Sequence, residues 1–234
     1  MDVLLDLIGF LSAPENWRGP AGFPRRLLEH LGYTLVAAGA ALAIALPMGM
    51  ILGHTRRFET LVTQIANFGR AIPTVGILIL AFVLFGIEPL PVILALTAMA
   101  IPPILVNTYV GVQAVDPEVV DAARGVGMSG TQVLTRVELP IATPLVMAGV
   151  RTSLVQVVAT ATLAAFIGLG GLGRYIIDGL SQRVLARTLA SAVMVAALAL
   201  VVEWASGRVQ RGVTPRGLRH ALTDEPSPLE PPRI

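Results

Sequence analysis

This 234-residue sequence contains no cysteine and no lysine, and few of its residues are charged or aromatic. Without cysteine, disulfides and thiolate metal sites are excluded. All 17 basic residues are arginine, so the chain has no P-loop lysine and no lysine that could form a Schiff base. Charged residues make up 14% of the chain, whereas soluble domains carry roughly 25%. The shortage of charge argues against an ordinary soluble domain.

Long apolar runs make up most of the remaining sequence. Hydrophobic residues account for 54% of the chain, and the mean hydropathy is +0.74. A membrane-spanning helix needs about 20 mostly apolar residues. Five segments approach that length, at about 31–53, 65–87, 91–112, 141–166 and 185–204. The sequence therefore predicts an all-α integral membrane protein with five transmembrane helices, of which the fifth is the weakest alone.

The flanking segments and the arginines predict the domain organisation. Residues 1–28 are expected to form an N-terminal interfacial helix and linker rather than a cleavable signal peptide, because no basic segment precedes the short apolar run. Residues 29–205 are the predicted transmembrane domain, and residues 206–234 a disordered tail. Nine arginines on one side of the predicted spans, against six on the other, place the N-terminus outside and the C-terminus in the cytoplasm.

A polar insert, the coupling loop of residues 113–140, interrupts the apolar runs. Asp116 and Pro117 predict the cap and first residue of a short helix that stops at Gly125 or Gly127. A second helix, "GTQVLTRV", is predicted by capping-box spacing at its start, and Pro140 allows a break before the next span. Each helix covers only about 15 Å, which is too short to cross a bilayer, so the pair is interpreted as a docking element.

The same loop resembles a known signature. It fits EAA-x3-G-x9-I-x-L-P of the ABC importer permeases, with Asp for Glu and Val for Ile, at Asp121, Ala122, Ala123, Gly127, Val137, Leu139 and Pro140. The similarity extends through "NTYVGVQAVDPEVVDAARGVGM", "VELPIATPLVMAGVRT" and "ATLAAFIGLGGLG". Among importers the chain is most similar to permeases for glycine betaine, carnitine, choline or proline. Methionine-importer permeases share the five-helix core, and methionine or another small amino acid is the alternative solute.

The resemblance implies that this chain hydrolyses nothing and carries no cofactor or metal. A separate ATPase dimer would bind ATP and magnesium, a second permease subunit would complete the pathway, and an extracytoplasmic binding protein would deliver the solute in a bacterial inner membrane. Nucleic acid is not an expected partner. The residues expected at the ATPase contact are Val119, Val120, Asp121, Ala122, Ala123, Gly127, Met128, Leu139 and Pro140, with Val119, Val120 and Met128 as its apolar contacts.

Two further groups of residues are functional candidates. Hydroxyl and amide side chains within the spans are suited to a zwitterionic solute, although such groups also hydrogen-bond between membrane helices; they are Asn107, Thr108, Tyr109, Gln156, Thr160 and Thr162. "GLGGLG" satisfies a dinucleotide-binding pattern but lacks the preceding strand and the later acidic residue. It is interpreted as an outer glycine turn near a gate or the binding-protein contact, formed by Gly168, Gly170, Gly171 and Gly173.

Charged residues inside the spans leave alternatives open. Arg70 and Arg151 are expected either to snorkel to the interface or form a structural pair, or to act in the pathway. The Pro102-Pro103 pair is expected to kink or break its helix. A membrane hydrolase is disfavoured, because no HExxH occurs and no histidine lies inside a span beside a serine. A secondary transporter remains the rival class, although no internal duplication and no mid-span acid support it.

Overall fold

The computed structural model describes residues 3–57, 59–71 and 73–215, and the side chains within these ranges except those of residues 68–71. The described chain is helical almost throughout. Its α-helices are α1 (Val3–Ser12), α2 (Phe23–Thr55), α3 (Glu59–Ala71), α4 (Thr74–Phe85), α5 (Pro89–Gln113), α6 (Pro117–Gly125), α7 (Gly130–Val133), α8 (Leu139–Thr160), α9 (Gly173–Ser181) and α10 (Leu185–Val213). The turns Pro14–Trp17 and Ala161–Ile167 are 3-10 helices, and Leu134–Glu138 is a π-turn.

Within the described residues, four helical stretches are long and apolar enough to cross a membrane, namely α2, α5, residues 130–167 and α10. The predicted second span is instead divided between α3 and α4, with Pro73 as the N-cap of α4. Proline lacks the backbone donor that a continuous helix needs. At 13 and 12 residues, the two helices are about 20 and 18 Å long, so neither crosses a bilayer alone.

Helices α2 and α5 run parallel. The Thr97 hydroxyl donates to the Ala37 carbonyl at 3.3 Å, and further along both helices a Cβ on Gly49 would lie 2.7 Å from the Thr108 Cβ. Because the second contact lies later in the sequence of both helices than the first, α2 and α5 run in the same direction and end on the same side of the molecule. The chain between them must return to the opposite side, so α3 and α4 in series make that return.

Helix α8 runs antiparallel to α5. The Ser153 hydroxyl donates to the Ala100 carbonyl at 3.2 Å, whereas a Cβ on Gly111, later in α5, would lie 3.2 Å from the Cβ of Ala142 at the start of α8. Small residues at these contacts let the backbones approach closely, as in membrane helix pairs generally. The parallel α2–α5 pair and α8 form the centre of the bundle.

The proline pair does not break α5, which is continuous through Pro102 and Pro103. In this part of the helix the hydroxyl of Ser153 donates to the Ala100 carbonyl, and the Asn107 amide donates to the Pro103 carbonyl at 2.8 Å. Helix α5 therefore contains both prolines without a break, and of the expected kink or break the break is wrong.

The expected break at Pro140 is also wrong. The helix that begins at Gly130 continues to Ile167, and its π-turn contains a bond from the Leu139 N–H to the Leu134 carbonyl. A π-turn is wider than an α-turn, which relieves the clash between the ring of Pro140 and the preceding turn. The second short helix of the coupling loop is thus continuous with α8.

Helix α10 extends further than the predicted fifth span. Residues 206–213, expected to be disordered, are helical. The Gln210 amide donates to the Pro144 carbonyl of α8 at 3.1 Å, and the hydroxyl of Ser206 donates to the Val202 carbonyl at 2.6 Å. These bonds satisfy polar side chains along the α8 contact. The rest of the predicted tail, residues 216–234, lies outside the described residues.

Aromatic rings hold the N-terminal segment against the bundle. The predicted helix forms as α1, and the ring of Phe10 lies 5.8 Å from Phe23 and 6.3 Å from Tyr175, in edge-to-face arrangements. The Tyr175 hydroxyl donates to the Ala21 carbonyl. Burial raises the pKa of Tyr175 above its ordinary value, so the phenol keeps its proton for this bond. Residues 3–22 are therefore anchored at the start of α2, and the place of the predicted segment 1–28 at a membrane interface stays a prediction.

Candidate functional site

The first coupling-loop helix has the predicted ends. The Asp116 carboxylate accepts from the Glu118 N–H at 2.8 Å, and Pro117 occupies the first turn of α6. Helix α6 ends at Gly125, and Gly127 has a φ of +89°. This backbone conformation is costly for residues with a Cβ. The cap, the helix and its stop are confirmed.

The second helix begins with the predicted capping box. The Ser129 N–H donates to the Gln132 side-chain oxygen at 2.8 Å, and the Gln132 N–H donates to the Ser129 hydroxyl at 3.4 Å. Both ends of the turn between the two helices are thus fixed by bonds between residues close in sequence. The turn presents a defined surface rather than a loose loop.

A small apolar core holds the coupling loop together. It contains Val115, Val120, Ala123 and Val133, and Met128 packs against it. Val120 is only 5% exposed. The expectation of Val120 and Met128 as projecting apolar contacts is therefore corrected, since both side chains stabilise the loop from within.

The exposed apolar side chains of the loop are different ones. Val119 is 43% exposed and Val126 81% exposed, and Ala122 between them is also exposed. Residues spaced three and four apart lie on one face of a helix. We call Val119, Ala122 and Val126 the coupling surface. Val126 is not among the contact residues expected from the sequence, although its seven-residue spacing from Val119 places both on one face of a helix.

The other signature residues divide between surface and bundle. Asp121 is exposed and lies 3.8 Å from Arg124, a distance and exposure at which an ion pair contributes little stability. Leu139 packs against the buried cluster of Val112, Ala142 and Val146. Pro140 is half-buried in the first turn of α8. Leu139 and Pro140 therefore lie at the base of the loop rather than on its coupling surface.

A cavity of about 250 Å³ lies between α3, α5 and α8. Among the described side chains its lining has no charged residue and consists of Ala66, Met99, Pro102, Pro103, Val106, Asn107, Thr152 and Gln156. Since one N–H of the Asn107 amide is committed to the Pro103 carbonyl, its second N–H and its side-chain oxygen are left for a ligand. Two of the six predicted pathway residues, Asn107 and Gln156, meet here.

The other four predicted pathway residues lie elsewhere. Thr108 is fully buried at the contact with Gly49 of α2, and Tyr109 is a core residue. Thr160 borders a narrow apolar crevice, and the Thr162 hydroxyl donates to the Ala159 carbonyl at 2.9 Å. Sequence position alone does not separate residues on the α2 face from those on the cavity face.

The glycine turn packs against the start of α2, at the end opposite the coupling loop. The Gly171 N–H donates to the Glu29 carboxylate at 2.9 Å, and Arg26 pairs with the same oxygen at 2.9 Å. A Cβ on Gly170 would lie 1.9 Å from this same oxygen of Glu29. Gly168 and Gly171 both have a φ of +85°. The residue before the turn ends a 3-10 helix, not a strand, so the dinucleotide interpretation is wrong.

Arg151 is paired with a residue of another helix. Its guanidinium donates to the carboxylate of Glu203 on α10. Of the alternatives for Arg151, the structure therefore supports the structural pair. The side chain of Arg70 lies outside the described residues.

Comparison with known proteins identifies the family. Residues 45–215 match the binding-protein-dependent transport system inner membrane components. The chain belongs to this family. As a permease of this family it is a membrane-embedded, multi-pass transport component, and family membership argues against both the hydrolase and the stand-alone secondary transporter.

Individual relatives cover most of the permease. It is 38% identical over 193 residues to the carnitine transport permease protein OpuCB of Listeria monocytogenes, which spans 82% of this chain and 88% of the relative. It is 36% identical, with the same coverage, to the glycine betaine/carnitine/choline transport system permease protein OpuCB of Bacillus subtilis. The osmoprotectant import permease protein OsmW of Salmonella typhimurium is 33% identical over 82% of this chain and 91% of the relative.

Solved structures agree with the fold. A chain of the inward-facing MetNI methionine ABC transporter superposes with a TM-score of 0.71 at 25% identity, covering 82% of this chain and 95% of that chain. An amino acid ABC transporter solved with histidines has a TM-score of 0.58 at 18% identity. The all-α fold of the ABC importer permeases is confirmed, while the count of five spans remains a prediction.

Proposed function

We propose that this permease is the membrane subunit of an ATP-driven importer for an osmoprotectant of the glycine betaine, carnitine, choline or proline type. The observation that carries the proposal is the 33–38% identity, over 82% of the chain, to permeases named for carnitine, glycine betaine, choline and osmoprotectant transport. The cavity between α3, α5 and α8 and the coupling surface support the proposal independently.

The coupling surface is where we place the ATPase subunit. Val119, Ala122 and Val126 form an apolar face on a loop whose turn is fixed by caps and by Gly127. Small and apolar side chains on a short helix suit a groove on another protein. ATP and magnesium would bind to that partner, whose closure would move the loop.

The cavity is where we place the solute. The described side chains of its lining are neutral and offer amide, hydroxyl and thioether groups beside apolar side chains. Such groups bind a zwitterion or a quaternary ammonium ion without fixing a net charge, and thioether sulfur is soft and polarisable. A second permease subunit, identical or similar, would complete the pathway.

These assignments fix an orientation. The coupling loop would lie in the bacterial cytoplasm and the glycine turn outside, where the binding protein delivers solute. The N-terminus would then be outside and the C-terminus in the cytoplasm. The nine-to-six distribution of arginines supports this orientation.

The test is uptake by proteoliposomes. They contain the permease with the ATPase subunit and the binding protein proposed as its partners. The solute is radiolabelled glycine betaine, carnitine, choline, proline or methionine. We expect ATP-dependent accumulation of at least one osmoprotectant and none of methionine. Accumulation of methionine alone would favour the alternative solute, and uptake driven by an ion gradient without the ATPase would contradict the proposal.

A further inference from the structure

The last turn of α2 contacts both ends of the coupling loop. At the start of the loop, the Arg56 guanidinium donates to the Val115 carbonyl at 2.8 Å. At its end, Nδ1 of His54 lies 2.5 Å from the carboxylate of Glu138. Two side chains of one helix end therefore hold a loop whose ends are more than twenty residues apart in sequence.

Glu138 is unusual among the carboxylates of this chain, because it is only 1% exposed. It lies in the π-turn between α7 and α8, and His54 is the partner that its carboxylate finds among the described residues. A buried carboxylate is costly unless it is paired and hydrogen-bonded. π-turns inside α-helices occur often at functional sites, and this one carries Glu138 towards α2.

The histidine also lies close to a second part of the loop. Its other ring nitrogen, Nε2, lies 3.5 Å from the position that a Cβ on Gly130, the first residue of α7, would occupy. The His54 ring is thus near the start of α7 and bonded to the π-turn that follows it.

The first loop helix, in contrast, stands away from α2. A cavity of about 240 Å³ separates them, and its lining residues are His54, Thr55, Arg56, Pro117, Val120, Asp121, Arg124 and Glu138. Apolar packing therefore does not join α6 directly to α2 at this place. The polar contacts of His54 and Arg56 carry the connection.

The α2 end itself is firmly seated. A Cβ on Gly53 would lie 2.8 Å from the Val112 Cβ and 2.9 Å from the Tyr109 carbonyl, so α2 and α5 are in close contact here. Arg56 has a φ of +55°, a conformation uncommon for residues other than glycine. It ends α2 with the guanidinium directed to Val115.

We propose that His54 and Glu138 are positioning residues that transmit movement of the coupling loop to α2. The pair connects the loop's second helix to the span that leads to the opposite end of the molecule. This inference rests on the proposed function, because it assumes that an ATPase moves the loop. It adds the residues through which that movement reaches the bundle.

The experiment compares variants in the reconstituted complex with its ATPase and binding protein. Glu138→Ala and His54→Ala should each lower solute imported per ATP hydrolysed by about tenfold, while the amount of ATPase bound stays within about twofold of wild type. Glu138→Gln keeps an acceptor for the His54 ring and should retain most of the import. The matched control is Thr55→Ala, because the Thr55 hydroxyl bonds only within its own helix, to the Leu52 carbonyl.

The double variant separates a pair from two independent effects. If the two residues act as one contact, the double variant His54→Ala with Glu138→Ala should lose no more import per ATP hydrolysed than either single variant. The effects of coupled residues are not additive. A ratio of import to hydrolysis equal to wild type in both single variants would overturn the inference. A lower ratio of import to hydrolysis in Glu138→Ala that results from loss of bound ATPase would also overturn the inference. Failure of the wild-type chain to bind the ATPase would instead refute the proposed function.

Discussion

The turn between the two coupling-loop helices and the glycine turn are held by contacts of different range. In the coupling loop, caps join residues two and three apart, as between Asp116 and Glu118 or Ser129 and Gln132. At the glycine-turn end, the Glu29 carboxylate binds the N–H of Gly171, 142 residues away. The coupling loop can therefore move as a preformed unit, whereas the opposite end depends on the packing of the whole chain.

The largest expected effect comes from breaking the coupling loop's turn. Gly127→Val places a β-branched residue at a φ of +89°, which costs about 1–2 kcal/mol or more. We expect uptake to fall by about tenfold or more, with normal membrane insertion, measured in proteoliposomes. Gly125→Ala is the matched control, since a Cβ there meets nothing within 4 Å. Unchanged uptake in Gly127→Val would contradict the role of the turn.

A smaller effect is expected at the glycine-turn end. Gly170→Ala would place its Cβ 1.9 Å from a Glu29 oxygen, so the carboxylate must leave the Gly171 N–H. We expect a loss of about 1–3 kcal/mol of stability, seen as a lower melting temperature in detergent. The control is Gly32→Ala, which lies near Glu29 in α2. A Cβ on Gly32 has open space around it, so this variant should melt like wild type. Equal melting of both variants would show that Glu29 does not hold the turn.

The smallest effect is expected from the capping box. Ser129→Ala removes one of two reciprocal bonds and should cost about 1 kcal/mol. Amide hydrogen exchange should become faster in residues 130–133 and stay the same in the glycine turn. Thr131→Ala, an exposed change in the same helix, is the control. Faster exchange at both ends of the molecule would contradict the independence of the coupling loop.

Local features were predictable from the sequence for a physical reason. The cap at Asp116, the stop near Gly127 and the capping box depend on neighbouring residues, so their spacing carries the information. The four long apolar helices follow from composition in the same way. The breaks expected at Pro102 and Pro140 were wrong, because α5 continues through its prolines and a π-turn directly before Pro140 accommodates that ring.

Long-range features were not predictable in this way. Glu29, Glu138 and His54 have no local pattern that marks their long-range partners, which lie 84 or more residues away in the chain. The same holds for the cavity, where Asn107 and Gln156 meet while Thr108, next to Asn107, faces α2. Packing against the neighbouring helices decides whether a residue of a span is buried or faces the cavity. In a uniformly apolar span the sequence has no clear periodicity that would mark the two faces.

The most direct test of the central claim uses the absence of cysteine from this chain. Val126→Cys and Val120→Cys each introduce one thiol, the first at an exposed site and the second at a buried one. Intact complexes in membrane vesicles are treated with a thiol cross-linker, with the ATPase subunit as the other partner. Cross-linking of Val126→Cys to the ATPase, and not of Val120→Cys, is the predicted result. Efficient cross-linking through position 120, or none through position 126 in a complex that still imports solute, would contradict the account.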